Sequence, residues 1–324
     1  MTRSTVSFSI CIPCYNDFEG LHDTLRSIVE NFDIERFDQF HVLVGLNDCK
    51  FGEEDILKAQ SRKLGIPTKF FKTRKYLVYD KSIIFLLSKV NTDFCLLVGC
   101  GEVVLPNLFN ALLAFGENDT DFGLLPVQLQ ESGNKSTDLD KEGSWKTTTP
   151  GIFNKVVSGH IFRTSSLNFL IKPQPFVAFD WAHIEMSLIV QGNTKFNSFI
   201  YTCPAIKRNI SVSGWWTKTD IYKQYIEYCD ILLKYRERYP QLEFLRIELQ
   251  KAFSQRMLLM ILQVRANGLR EAPLFFCKWI NQFSGNQINR FIMKSALRLP
   301  KKMAVKIMIL ANWLIKRKQK KAKL

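Results

Sequence analysis

The sequence predicts an α/β fold, a mostly parallel sheet with helices on both faces, followed by a region that is helical almost throughout. Three observations predict it. From Ser7 to Val127, short apolar runs of strand length alternate with helical stretches, most of ten or more residues. Such alternation needs crossover connections, which are right-handed and lay the strands parallel. From Asp220 onward the apolar residues recur at helical spacing, with breaks near Tyr239-Pro240, Gly268, Gly285 and Pro300. Hydrophobic residues at 46% and charged residues at 23% suit a folded globular chain that buries one large core.

The elements follow in order. Ser7–Ile12 is a continuous apolar run and reads as a buried strand, and Phe18–Asn31 has the spacing of an amphipathic helix. His41–Leu46 is a second strand, Glu53–Leu64 a helix and Thr68–Phe71 a third strand. Tyr79–Val90 is a helix before the strand Phe94–Val98, which ends in Gly-Cys-Gly. A helix at Asn107–Phe115 and a strand at Phe122–Val127 come next. Gln128–Pro150 is rich in Ser, Thr, Asn, Asp, Lys and Gly and reads as one long loop of the kind that lids a site. A strand at Val156–Phe162, a helix at Trp181–Gln191 and a strand at Phe196–Cys203 complete the first part. Two regions result, 1–218 and 219–324. Ligands in such sheets sit beyond the carboxyl ends of the strands. The segments to inspect are therefore Pro13–Asp17, Asn47–Gly52, Lys72–Asp80 and Gly99–Pro106.

Charge separates the two regions. The net charge is +15, and no acid follows Glu271. Residues 201–324 hold about 25 Lys and Arg against about 7 Asp and Glu, whereas residues 1–200 are slightly acidic. A one-signed tail calls for an anionic partner. Within Leu299–Lys320 the lysines Lys302, Lys306, Lys316 and Lys320 gather on one stripe of a helical projection. Apolar residues and Trp313 occupy the rest. That pattern suits a helix lying in a head-group layer. Basic and aromatic residues do not interleave as in single-strand binders, so nucleic acid is not expected. No stretch has the length of a membrane span or the form of a signal peptide. The eight cysteines read as free thiols of a reducing cytoplasm, because Cys11 and Cys14 lack the second pair that a zinc site needs. The expected location is cytoplasmic, peripheral on the inner face of the cytoplasmic membrane.

Several nucleotide-binding and hydrolase signatures are missing. No GxGxxG follows the first strand, and no Gly-x-Ser-x-Gly elbow is present. Gly133-Asn134-Lys135-Ser136 lies in a polar loop rather than at a strand–helix turn. What stands at the end of the first strand is Pro13-Cys14-Tyr15-Asn16, followed by Leu21-His-Asp-Thr-Leu-Arg-Ser-Ile28. Together they resemble the opening of family-2 glycosyltransferases, which have an apolar strand, Pro-x-Tyr-Asn, and a helix reading Leu-x-x-x-Leu-x-Ser-Ile. Tyr79-Asp80, Val156-Val-Ser-Gly-His-Ile-Phe-Arg163 and Ile206-Lys-Arg-Asn-Ile-Ser-Val-Ser-Gly-Trp-Trp216 extend the resemblance, which is nearest to the abequosyltransferase-like subgroup.

The resemblance implies a GT-A, Rossmann-like fold and an inverting hexosyl- or deoxyhexosyltransferase that uses a nucleotide-sugar donor. It further implies a glycan or lipid-linked acceptor in surface polysaccharide (O-antigen-type) biosynthesis. By position, Pro13, Tyr15, Asn16, Asp48 and Asp80 fall to the nucleotide, with Leu46 or Asn47 as the alternatives to Asp48 in the slot after the second strand. Asp180 falls to the catalytic base, with His183 and Glu185 as rivals, and Trp215 and Trp216 to a sugar face. The family's acidic cation-binding motif falls on Gly99-Cys100-Gly101-Glu102, leaving Glu102 as the one carboxylate for Mg²⁺ or Mn²⁺. That loss also admits a non-catalytic nucleotide-sugar-binding or scaffold homologue.

Overall fold

The computed structural model describes residues 6–31, 39–48, 53–65, 67–118, 120–130, 143–147, 157–171, 181–193, 198–209, 221–251, 257–267, 280 and 287–310. Its first strand, β1 (Phe8–Tyr15), is buried from Phe8 to Cys14 and runs through the middle of the sheet. The run lacks alternation because both faces are covered, as in a parallel α/β sheet. β1 pairs parallel with β2 (Phe40–Asn47) on one side and β4 (Phe94–Leu97) on the other. The register sets Phe8 opposite both Phe40 and Phe94, and its ring stacks on theirs with centroids 5.5 and 5.3 Å apart. Phe109 and Phe115 of α4 (Leu108–Gly116) meet Phe40 and Phe94 edge-on. Aromatic packing thus secures the amino ends of the strands and leaves the carboxyl ends for polar work.

Helix α1 (Phe18–Glu30) buries Leu21, Leu25 and Ile28, and Asp17 caps it by accepting the Gly20 N–H at 3.0 Å. Next come α2 (Glu53–Leu64), β3 (Thr68–Lys72), which pairs parallel with β2, and α3 (Tyr79–Leu87). The strand order β3-β2-β1-β4 reverses direction between β1 and β4. In an open α/β sheet that reversal is the switch point, where the loops leaving the two strands diverge and open a crevice.

Beyond β4 the large sheet continues through β9 (His160–Arg163), β6 (Phe122–Leu124), β10 (Ser198–Tyr201) and β8 (Trp145–Thr147). β6 and β10 are parallel, whereas β9 runs antiparallel to β4 and β6. A second sheet joins β5 (Val103–Val104), β11 (Ile206–Asn209) and β7 (Val127–Gln130). Helix α5 is Thr164–Ile171 and α6 is Ala182–Gly192.

Two expectations are corrected. The strand expected at Phe122–Val127 divides into β6 and β7, which lie in different sheets. The division falls at Pro126, which has no N–H to continue a ladder. The long polar loop expected at Gln128–Pro150 contains the end of β7 and the whole of β8. Trp145 anchors β8, its Nε1–H donating to the Ala111 carbonyl at 2.8 Å and its ring lying on Phe115 and Tyr201. Ile206–Asn209, to which the sequence assigns no element, forms strand β11.

The chain divides into two compact units, 1–213 and 214–324. In the second, α7 (Ile221–Arg238) packs with α8 (Glu243–Lys251), and α9 (Met257–Asn267) packs with α10 (Gln287–Arg298). Arg265 of α9 donates through Nε and Nη2 to the Leu299 carbonyl, capping the end of α10. A helical segment at 301–310 follows Pro300.

Candidate active site

At the carboxyl ends of β1 and β2 the chain turns through left-handed residues, Asn16 at φ 47° and Asp48 at φ 60°. Asn and Asp tolerate this conformation better than other residues with side chains, so both positions carry a turn and an exposed polar group. Pro13 is buried within β1, opposite Gly45. Tyr15 is 46% exposed and meets Tyr76, itself 54% exposed, edge to face at 5.6 Å. Two exposed rings beside the carboxyl ends of β1 and β3 could carry a flat ligand.

Tyr76 is held in place by Asn47, the buried last residue of β2. Asn47 Nδ2 donates to the Leu77 carbonyl at 2.7 Å, and its Oδ1 accepts from the Leu77 N–H at 2.9 Å and from Thr73 Oγ1 at 3.2 Å. One side chain thereby fixes the 73–78 loop, which also exposes Arg74 and Lys75. Neither Asn47's bracing nor Tyr76 was singled out from sequence.

Asp80, in the first turn of α3, is 3% exposed. Its Oδ2 accepts from the Trp181 N–H at 3.2 Å and its Oδ1 from the Ala182 N–H at 3.0 Å. Its carboxylate caps the start of α6 from another helix, where the partial positive charge of the helix end favours an anion. Asp180 precedes this cap and lies outside the described residues, as do Trp215 and Trp216. The rival bases are both inside. Glu185 has no exposed surface and His183 is 2% exposed, its ring 5.3 Å from that of His160 and 6.1 Å from that of Trp181. A base must touch its proton donor, and neither side chain reaches solvent here.

The loop after β4 is fastened from α1. Thr24 Oγ1 accepts from the Gly101 N–H at 3.0 Å, Ser27 Oγ from the Val104 N–H at 2.9 Å, and Asn31 Nδ2 donates to the Val104 carbonyl at 3.0 Å. Spacings of three and four residues place these three polar groups on one helix face. Gly101, at φ 84°, makes the turn. Cys100 Sγ donates to the Asp17 carbonyl at 3.1 Å, and the adjacent Cys14 thiol, then burial, then the charges of Asp17 and Glu102 push its pKa up. It remains a protonated thiol.

Glu102 is 5% exposed and turned inward. Burial raises its pKa against the opposing effects of Ser158, Arg208 and Gly99. Ser158, from the segment before β9, takes the Gly99 N–H on its Oγ at 2.6 Å and hydrogen-bonds the Glu102 carboxyl. Arg208 of β11 brings its Nε to 3.9 Å from Glu102 Oε1, while Oε2 is buried without a hydrogen-bond partner. Mg²⁺ and Mn²⁺ need several hard oxygen donors that can approach the ion. Among the described residues no three His, Cys, Asp or Glu side chains converge in that way. One buried carboxyl, a protonated thiol and an adjacent guanidinium do not fit a divalent cation. A groove of about 710 Å³ between α1 and α2, lined by Phe18, His22, Arg26 and Ile56 among others, includes none of the expected site residues.

No family model matches the chain, and no curated protein matches it. Solved structures do. S. aureus TarS 1-349 in complex with UDP-GlcNAc matches with a TM-score of 0.64 at 13% identity, over 93% of this chain and 92% of that one. The mannosyltransferase PcManGT from Pyrobaculum calidifontis, in complex with GDP-Man and Mn²⁺, matches with a TM-score of 0.53 at 11% identity, over 95% and 88% of the chains. GalNAc-T7 with UDP, GalNAc and Mn²⁺ matches with a TM-score of 0.51 at 12% identity, over 77% and 57%. The chain therefore has the fold of GT-A glycosyltransferases.

Proposed function

We propose that this chain is an inverting glycosyltransferase that moves a hexosyl or deoxyhexosyl group from a nucleotide-sugar donor to a hydroxyl of a glycan or lipid-linked acceptor in surface polysaccharide biosynthesis. The observation that carries the reading is the exposed Tyr15–Tyr76 pair, from the loops that leave the carboxyl ends of β1 and β3, in a chain of GT-A fold. The neighbours' bound UDP-GlcNAc and GDP-Man support a nucleotide-sugar donor. The donor's base lies against the tyrosines, with Asn16 and Asp48 offering polar contacts at its rim. Arg74 and Lys75 add positive charge nearby, favouring an anionic ligand.

Transfer with inversion is one displacement. The acceptor hydroxyl attacks the anomeric carbon, its proton passes to a base, and the nucleoside diphosphate leaves from the opposite face. We assign the base to Asp180, because the bond Asp80 makes to the next residue fixes where the segment meets α6. The leaving diphosphate gains charge and needs a fixed positive group beside it. Trp215 and Trp216 are assigned to sugar stacking.

The reading extends to the membrane. In the segment at 301–310 only Ala304 is buried, and Met303, Val305, Ile307, Ile309 and Leu310 are exposed beside Lys301, Lys302 and Lys306. Among the described residues no helix is long and apolar enough to cross a membrane, so the contact proposed is peripheral, on the cytoplasmic face. The rest of the basic tail, 311–324, lies outside the described residues.

A second reading, a nucleotide-sugar-binding protein without turnover, is favoured by the Gly99-Cys100-Gly101 sequence where acids are expected. One experiment decides. The protein is offered UDP-, GDP-, dTDP- and CDP-sugars with membrane lipid extracts, and nucleoside diphosphate release is followed beside donor binding. Release supports the transferase, binding without release the second reading, and neither binding nor release overturns both.

A further inference from the structure

A divalent cation in a sugar transferase neutralises the donor's diphosphate, and among the described residues the end of β4 lacks the donor set to hold one. It does hold a fixed positive charge. β11 pairs antiparallel with β5, setting Ile206 opposite Val104 and Lys207 opposite Val103. One step further, the same register brings Arg208 to Glu102, with Nε 3.9 Å from Oε1. The pairing is thus written into the strand register.

The local backbone turns Glu102 toward this partner. A Cβ on Gly99 would sit 3.0 Å from the Glu102 carboxyl and 3.1 Å from Ser158 Oγ. Glycine leaves the carboxyl space to fold back beneath the loop, where a larger residue would press on it. The carboxyl's side chain is 7% exposed, whereas the Arg208 side chain is 34% exposed. Of the two charges, the anion is inside and the cation is the one that reaches solvent.

We propose that Arg208 takes the place of the divalent cation, its guanidinium neutralising the diphosphate of the donor while the buried Glu102 orients it. A guanidinium offers paired N–H donors that match phosphate oxygens, and it stays charged throughout the working pH range. No proton or metal has to be gained for the phosphate to bind. Ser158 and Gly99 hold the counter-ion, and β5 and β11 hold the strands that carry the pair.

The proposal rests on the nucleotide-sugar reading above, and calorimetry with UDP, GDP, CDP, dTDP and their parent nucleosides separates the two. At least one diphosphate should bind at least 10-fold tighter than its nucleoside, and that ratio should be the same within 2-fold in EDTA and in Mn²⁺. Arg208→Gln should collapse the ratio toward 1 while leaving nucleoside binding within 2-fold. Arg208→Lys should keep part of it, and Glu102→Gln, which leaves the guanidinium present, should keep most of it. A merely structural role for Arg208 would weaken nucleoside and diphosphate alike. A ratio that vanishes in EDTA and returns with Mn²⁺ would overturn the proposal and leave the nucleotide reading standing. A wild-type protein that binds none of these ligands would overturn both.

Discussion

The carboxamide of Asn47 closes a ring of hydrogen bonds with both backbone groups of Leu77, thirty positions along the chain. Replacing it by alanine leaves the half-buried N–H and carbonyl of Leu77 without their partner, at a cost of about 1–2 kcal/mol. Asn47→Ala should therefore lower the melting temperature and, by loosening Tyr76, weaken nucleoside binding by roughly 10-fold. Unchanged nucleoside affinity would remove Tyr76 from the base platform. His160 gives a second test through pH. Its Nδ1–H donates to the Val157 carbonyl at 2.9 Å, and burial lowers its pKa to about 4. The unfolded value is about 6.5, so the stability tied to neutral His160 is complete above that pH and is lost as pH falls through 4. The difference amounts to about 3 kcal/mol. His160→Gln should flatten the urea midpoint between pH 6.5 and 4, with His183 left as the adjoining ring. A pH profile identical to wild type would assign the acid sensitivity elsewhere.

Among the elements, α6 is the one whose start adjoins the proposed base, and a different helix caps it. Asp80→Asn keeps one oxygen acceptor but loses the charge and the second acceptor at the positive end of α6. The loss should cost about 1 kcal/mol in stability. Because Trp181 follows the proposed base, kcat should fall at least 10-fold while donor affinity stays within about 3-fold. A large loss of nucleotide affinity with kcat preserved would instead return Asp80 to the nucleotide. Such cross-element roles explain what was legible in the sequence. β1 to β4 are legible as short apolar runs of strand length and α1 to α3 by their helical period, because what each buries is defined by its own residues. β8 and β11 are not. Each has three or four residues, and each becomes a strand through a partner, Trp145 packing on Tyr201 and Ile206 pairing with Val104. The site divides the same way. Tyr15 and Asn16 stand in one contiguous motif, whereas Asn47 with Leu77 and Glu102 with Arg208 acquire meaning only once the sheet has joined them.

At the scale of the whole molecule, the charge asymmetry and the exposed helical segment at 301–310 bear on where the protein works. A helix whose apolar residues point outward on nearly every side is unstable in water alone, because helical stability in proteins comes mainly from a packed face. Phe291 of α10, at 73% exposure, and Ile309, at 64%, add apolar surface to the same unit. A head-group layer covers such residues while its phosphates attract Lys301, Lys302 and Lys306, at about 1 kcal/mol per basic residue near the surface. Removing Leu299–Leu324 should therefore release the protein from vesicles of anionic lipid. Raising salt should weaken binding of the intact chain, since charges farther apart than about 10 Å are screened at 0.1 M. Salt should not abolish it, because the apolar contribution does not depend on screening. Ile309→Ser with Leu310→Ser should lower binding at every salt concentration, whereas Lys302→Gln with Lys306→Gln should remove mainly the salt-sensitive part. Transfer to a soluble acceptor should survive these substitutions, and transfer to a lipid-linked acceptor in membranes should fall with vesicle binding. Loss of cooperative melting on truncation, or vesicle binding unaffected by all four substitutions, would assign the segment to internal packing and place the membrane contact elsewhere.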